Sequence, residues 1–211
     1  MADGSRVVNF LFDGPDDAAA TIALAHGAGA PLDSEFMQVF AERLGAMGFR
    51  VARFEFPYMA ERRESGKKKP PNRLPELIET WHDVIGELGV NSLVIGGKSM
   101  GGRVASLVAD DAGVKGLICL GYPFHAPGKE PGLNRLEHLE GLKTPTLICQ
   151  GTRDALGTRE EISDYRLSAT IQFYWLEDGD HSFKPRRASG LTESENWQNA
   201  IDAIGVFIKG L

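Results

Sequence analysis

The segment Gly97-Lys98-Ser99-Met100-Gly101, within VIGGKSMGGR (94–103), fits two chemistries. Glycine followed by Lys98-Ser99 has the look of a phosphate loop, which would bind a nucleotide. The same residues fit G-x-S-x-G, a sharp strand-to-helix turn that presents a serine hydroxyl for acyl transfer. A phosphate loop needs G-x-x-x-x-G-K-[ST], so that successive backbone N–H groups wrap the phosphates. Counting back from Gly97 puts Ser92 where the first glycine belongs, and Ser92–Ile95 reads as a buried strand. A strand cannot also be a cradle, so the nucleotide reading fails. The serine turn needs small neighbours to relieve crowding, and Gly96, Gly97, Gly101 and Gly102 supply them between an apolar LVI and a helical RVASLVAD.

A serine hydroxyl is a poor nucleophile unless a base takes its proton, and the base needs an acid to orient it. In strand-turn-helix sites of this kind the chain order is serine, then Asp or Glu, then His, each after a later strand. TLICQGTRD places Asp154 just past a strand, and WLEDGDHSF places His181 past the next, with Asp180 as a fallback acid. The other histidines fit less well. His26 precedes the serine, His82 lies within a helix, His125 follows a strand one place too early, and His138 reads as a solvated residue of a surface helix or loop. The developing oxyanion requires two N–H donors. Met100, at the start of the helix after Ser99, is one; Ala28 in ALAHGAGA is the other, freed to turn by Gly27 and Gly29. Lys98 points away from the hydroxyl in such a turn, so it is expected to pair with a nearby carboxylate rather than act as base.

These groups must be carried by a scaffold of alternating strands and helices. Strands are expected at 7–12, 20–26, 49–56, 92–95, 115–120, 146–149 and 171–176. Helices are expected near 33–47, 74–88, 100–109, 158–167 and 192–209, with a polar basic loop, ERRESGKKKPPNR, at 61–73. Such alternation implies βαβ units and a mainly parallel sheet covered on both faces, within a single domain spanning 1–211. Ligands then bind outside the carboxyl ends of the strands. All of the proposed groups follow strands.

The rest of the composition narrows the partners. A net charge of −6 argues against nucleic acid. No secretory leader or membrane-length apolar run is read, and Cys119 and Cys149 sit in apolar runs as buried thiols, so a cytoplasmic location is expected. No cofactor and no metal-ligand spacing is seen. The basic residues cluster: Arg62, Arg63, Lys67, Lys68, Lys69 and Arg73 in one loop, Lys184, Arg186 and Arg187 after the base, and Lys98 and Arg103 about the serine. A positive rim there would orient an anionic substrate, with solvated loops as the plain alternative. Gly27, Tyr58, Tyr122 and Phe183, with Met59 and Phe124, are candidates to line the pocket.

HGAG, GGKSMGGR, QGTRD and DGDHSF, in that order, resemble the α/β-hydrolase superfamily, in particular its small lidless members related to dienelactone hydrolases and carboxylesterases. The resemblance runs from about residue 20 to 211. It implies a three-layer α/β/α sandwich with a mainly parallel sheet of six or seven strands and no lid domain. It implies Ser99 as nucleophile, His181 as base and Asp154 as acid, acting through an acyl-enzyme on a small ester, thioester or lactone. Lysine at position 98, often aromatic or histidine in such turns, is a departure. The competing expectation is a hydrolase-fold protein that only binds or scaffolds.

Overall fold

A computed structural model describes residues 8–126, 128 and 133–211. Over these residues the chain forms strands β1 (Phe10–Asp13), β2 (Thr21–Ala25), β3 (Arg50–Phe54), β4 (Leu93–Lys98), β5 (Gly116–Leu120), β6 (Thr146–Gly151) and β7 (Ile171–Leu176). The helices that separate or follow them are α1 (Glu35–Ala46), α2 (Pro57–Ser65), α3 (Leu74–Leu88), α4 (Met100–Ala112), α5 (Leu133–Glu140), α6 (Arg159–Ile162) and α7 (Glu193–Lys209). The sheet order is β1-β3-β2-β4-β5-β6-β7. Strand β1 runs antiparallel against β3; the other pairs are parallel.

The order reverses between β2 and β4. From β2 the chain steps outward to β3, whereas from β4 it steps the other way through β5, β6 and β7. The crevice at the carboxyl ends of β2 and β4 is therefore the place where this kind of sheet binds ligands. Gly27-Ala28 leaves β2 there, and Ser99 leaves β4.

The strands are continuous apolar runs because helices cover both faces. On one face Trp81, Val84 and Ile85 of α3 and Val104, Ala105 and Val108 of α4 pack over Ala23, Ile95, Leu117 and Ile148. On the other, Met37, Phe40 and Leu44 of α1 and Ala200, Ile201, Ile204 and Ile208 of α7 pack over Ile22, Leu24, Val94, Ile118 and Cys149. Helix α7 starts with a capping box in which Thr192 Oγ1 accepts from Glu195 N–H and Glu195 reaches back to Thr192 N–H. No inserted lid domain occurs among the described residues, and no helix among them is long and apolar enough to cross a membrane.

Several boundaries differ from those expected. β4 continues to Lys98 because Gly96, Gly97 and Lys98 pair with Ile118, Cys119 and Leu120, and β6 continues to Gly151 because Gln150 and Gly151 pair with Trp175 and Leu176, although these residue types do not read as strand. The first strand begins at Phe10; its expected start at Val7 lies outside the described residues. The front of the basic loop is helical: Pro57 at the first helical position starts α2, and Gly66 at φ 66° ends it. The helix expected over 158–167 shrinks to Arg159–Ile162. Conversely, Leu133–Glu140 forms a helix, α5, which sequence periodicity does not define.

Candidate active site

Ser99 stands between β4 and α4 with φ 51° and ψ −113°, outside the regions that L-residues favour. Such a conformation costs about 1–3 kcal/mol and persists only when its surroundings fix it. Here Ser99 N–H donates to Leu120 O at 2.9 Å, and Ser99 O accepts from Arg103 N–H at 3.0 Å. The turn is also crowded. A Cβ on Gly97 would lie 2.2 Å from Ala25 O, and one on Gly101 would lie 2.6 Å from the same oxygen and 2.7 Å from His26 O. Glycine at both positions lets the first turn of α4 seat against the end of β2, which brings Ser99 beside Ala28.

The structure brings Ser99, His181 and Asp154 together. Asp154 is fully buried; its Oδ2 lies 2.7 Å from His181 Nδ1, and His181 Nε2 lies 2.9 Å from Ser99 Oγ. A carboxylate only accepts hydrogen bonds, so the ring proton sits on Nδ1 and the Nε2 lone pair faces the serine hydroxyl. Asp154 is itself held by two further donors, Gln150 Nε2 to Oδ2 at 2.9 Å and Leu156 N–H to Oδ1 at 2.9 Å. Asp180, the fallback acid, accepts from Ser182 N–H and Lys184 N–H and thereby shapes the His181 loop.

The β2 loop is fixed by groups to which the sequence assigns other roles. His26 is buried, and its Nε2 accepts from Phe56 N–H at 3.1 Å, which leaves the proton on Nδ1 to donate to Gly27 O at 2.7 Å. Burial lowers its pKa and keeps it neutral in this role. Tyr58 Oη donates to Ala28 O at 3.0 Å and approaches Gly27 O at 3.4 Å. A carbonyl and the following N–H lie in one peptide plane and point in opposite directions. Tying down Gly27 O therefore fixes the direction of Ala28 N–H. Met100, the first residue of α4, has an N–H with no partner inside the helix.

Three candidate lining residues are corrected. Tyr58, Tyr122 and Phe183 are 2%, 0% and 0% exposed and line neither cleft at Ser99. Tyr58 is spent on the β2 loop, Tyr122 packs against Phe124 and takes its N–H to Gln150 Oε1, and Phe183 packs into the core beside Phe36 and Phe40. Gly27 does line the site. One cleft of about 480 Å³ runs along Gly27, Ala28, Phe36, Lys98, Ser99, His181 and Trp197. Another, of about 380 Å³, runs along Ala28, Leu74, Leu77, Ser99, Met100, Arg103, Pro123 and Arg135. A separate depression of about 510 Å³ beside β1, with Phe10, Leu32 and Glu55, lies apart from the three side chains.

Among the described residues, Lys98 pairs with no carboxylate. Its Nζ donates to His181 O at 2.6 Å and lies 5.6 Å and 5.9 Å from the Phe36 and Phe183 ring centres, so it anchors the loop that carries the imidazole. Burial pulls its pKa down to about 8, against the pull of Asp154 and Asp180. A charge-assisted hydrogen bond of this kind is worth roughly 1.5–3 kcal/mol. Lys98→Met is expected to lower kcat about ten-fold or more, with a smaller change in KM, because the loop that carries the His181 imidazole loses its anchor. Between pH 8 and 10.5 the unfolded chain holds more protons at this position than the folded one. The stability of wild type relative to Lys98→Met should therefore rise with pH across that window and be flat below it, as measured by denaturant unfolding.

His138 is not solvated as expected. Its Nε2 lies 2.8 Å from Ser106 Oγ, and burial pulls its pKa down to about 4. Part of the expected positive rim is also neutralised. Arg63 binds Asp33 and Glu55, Lys69 binds Glu61, Lys184 binds Glu193, and Arg186 binds Asp178.

The family described as an alpha/beta hydrolase domain matches residues 18–209. The chain belongs to the α/β-hydrolase family. The fold of this α/β-hydrolase is shared with the monoacylglycerol lipase of Paleococcus ferrophilus, at 15% identity and a TM-score of 0.71 over 96% of this chain and 100% of that one. It is shared with Est1E from Butyrivibrio proteoclasticus, at 12% identity and a TM-score of 0.67 over 96% and 95% of the two chains. An alpha-beta serine hydrolase homologue from Coxiella burnetii matches over the whole of both chains, at 16% identity and a TM-score of 0.67.

Proposed function

We propose that this α/β-hydrolase is a serine hydrolase that cleaves a small ester, thioester or lactone through an acyl-enzyme on Ser99. The observation that carries this reading is the continuous relay from Asp154 through the imidazole to Ser99, with contacts of 2.7 and 2.9 Å. Ser99 Oγ attacks the carbonyl carbon as its proton passes to His181 Nε2, and Asp154 stabilises the imidazolium. The oxyanion takes hydrogen bonds from Ala28 N–H and Met100 N–H, of which each is worth about 2.7–4 kcal/mol in sites of this type. Collapse breaks the bond to the leaving group, which receives the His181 proton. Water then attacks the acyl-enzyme, gives its proton to His181 and releases the acid, and the proton returns to Ser99.

A scaffold needs none of this. Nothing in the packing of α4 on β2 calls for a strained serine, and a binding module gains nothing from a buried carboxylate directed at a half-exposed imidazole. The buried free thiols Cys119 and Cys149 suit a reducing compartment. Incubation with a fluorophosphonate should block turnover of p-nitrophenyl acetate at one equivalent of probe; an unlabelled protein without turnover would favour the scaffold.

A further inference from the structure

Two clefts meet at Ser99, and they differ in chemistry. The leaving group must take its proton from His181 Nε2, so it belongs in the cleft lined by His181, Phe36 and Trp197. The acyl chain is left with the other cleft, which holds Arg103 and Arg135. We propose that Arg103 and Arg135 form a carboxylate-binding subsite for the acyl chain, so that the preferred substrates are esters or thioesters of short dicarboxylic acids cleaved at one end. This inference rests on the serine-hydrolase reading.

Among the described residues, the two guanidiniums are committed to no anion. No carboxylate among the described residues pairs with either. Arg103 Nε is buried with no hydrogen-bond partner among those residues, and Arg135 has one long contact, Nη1 to Pro123 O at 3.3 Å. Guanidinium groups out of water are costly without a partner. Desolvation is the main cause of the lowered Arg103 pKa; Tyr122 opposes it, and the charge of Arg135 adds to it. An anion held at this cleft would offset the desolvation of Arg103 and its repulsion by Arg135.

The subsite is also built rather than adventitious. Arg103 lies on α4 and Arg135 on α5, helices far apart in sequence. His138 Nε2 and Ser106 Oγ tie them together at 2.8 Å, and Tyr122 Oη donates to Arg135 O at 3.4 Å. Ser106 Oγ in turn donates to Arg103 O at 2.7 Å. The network holds the two arginines on one cleft. Arg103 is one helical turn beyond Ser99, about 6 Å along the axis, which suits a chain of few carbons. A planar carboxylate matches the fork of a guanidinium.

The test compares p-nitrophenyl half-esters of glutaric and adipic acid with the same compounds methylated at the far carboxyl. Wild type is expected to prefer the free acids by roughly 10- to 100-fold in kcat/KM, less so at high salt, with the difference mainly in KM. Arg103→Met and Arg135→Met, checked for fold by circular dichroism, should each bring the ratio close to one. Arg103→Lys should restore part of it, and Lys209→Met should leave it unchanged. Glutarate should inhibit competitively and inorganic phosphate should not; inhibition by phosphate alone would replace carboxylate by phosphate and overturn the assignment. If a fluorophosphonate labels Ser99 but the acid and methyl esters react alike, the subsite is wrong and the serine-hydrolase reading stands. If Ser99 is not labelled and neither ester turns over, both fall.

Discussion

Ser99→Ala is expected to lower kcat by about 10⁴- to 10⁶-fold while leaving the fold in place. The size follows from the acyl-enzyme scheme. Without Oγ no covalent intermediate forms, and the residual rate comes only from binding and the oxyanion donors. The small effect on the fold follows from the site itself. Alanine adopts φ 51° with the same strain as serine, and the backbone bonds to Leu120 O and from Arg103 N–H do not involve the side chain. What the substitution removes is the hydrogen bond between Oγ and His181 Nε2. A neutral hydrogen bond contributes roughly 0.5–1.5 kcal/mol, so the melting temperature should shift by a few degrees at most. Turnover of p-nitrophenyl acetate and a thermal melt on the same preparation measure both. Near wild-type activity in this variant would remove Ser99 from the mechanism.

Asp154→Asn should lower kcat by about 10⁴-fold, by a different route. Three donors face this carboxylate: His181 Nδ1 and Gln150 Nε2 at Oδ2, and Leu156 N–H at Oδ1. An asparagine offers one acceptor oxygen, so its NH₂ meets a donor in either orientation. If the NH₂ faces the imidazole, the ring proton moves to Nε2, which can then no longer accept the serine proton. If it faces Leu156, the tautomer survives but the charge that stabilises the imidazolium is gone. Either result disables the base at near-neutral pH. The unmet donor also costs about 1–3 kcal/mol, so stability should fall along with activity, unlike the serine variant. Retention of more than a tenth of wild-type kcat would show that Asp154 does not orient His181.

Much of this site is legible from residue order. Strand-then-loop positions put Ser99, Asp154 and His181 on one edge of a parallel sheet, and the sheet reversal between β2 and β4 falls where Ala28 and Ser99 emerge. What escapes the sequence are the side chains that hold those groups. Gln150 braces Asp154 and the backbone at Tyr122 and Gly157. A polar residue closing the apolar strand TLICQG is the available signal, since a buried amide must find partners. His26 is excluded as base by its place in the chain, yet chain order says nothing about a histidine that orients a loop. Lys98 and Arg103 both read as local positive charge. Only the folded arrangement separates a lysine that binds a carbonyl from an arginine that faces a cleft with no carboxylate partner among the described residues, because their difference lies in partners from distant segments. The basic loop misleads for the same reason: Asp33, Glu55 and Glu61 neutralise part of it, and two of these lie before it in the chain, outside any local window.

The most direct measurement is mass spectrometry of the protein quenched in acid during turnover of a p-nitrophenyl ester, followed by mapping of the modified peptide. One acyl group per chain is expected, carried on Ser99, formed in wild type and absent from Ser99→Ala. An enzyme that turns over the ester with no acylated intermediate, or that carries the acyl group on another residue, would contradict it.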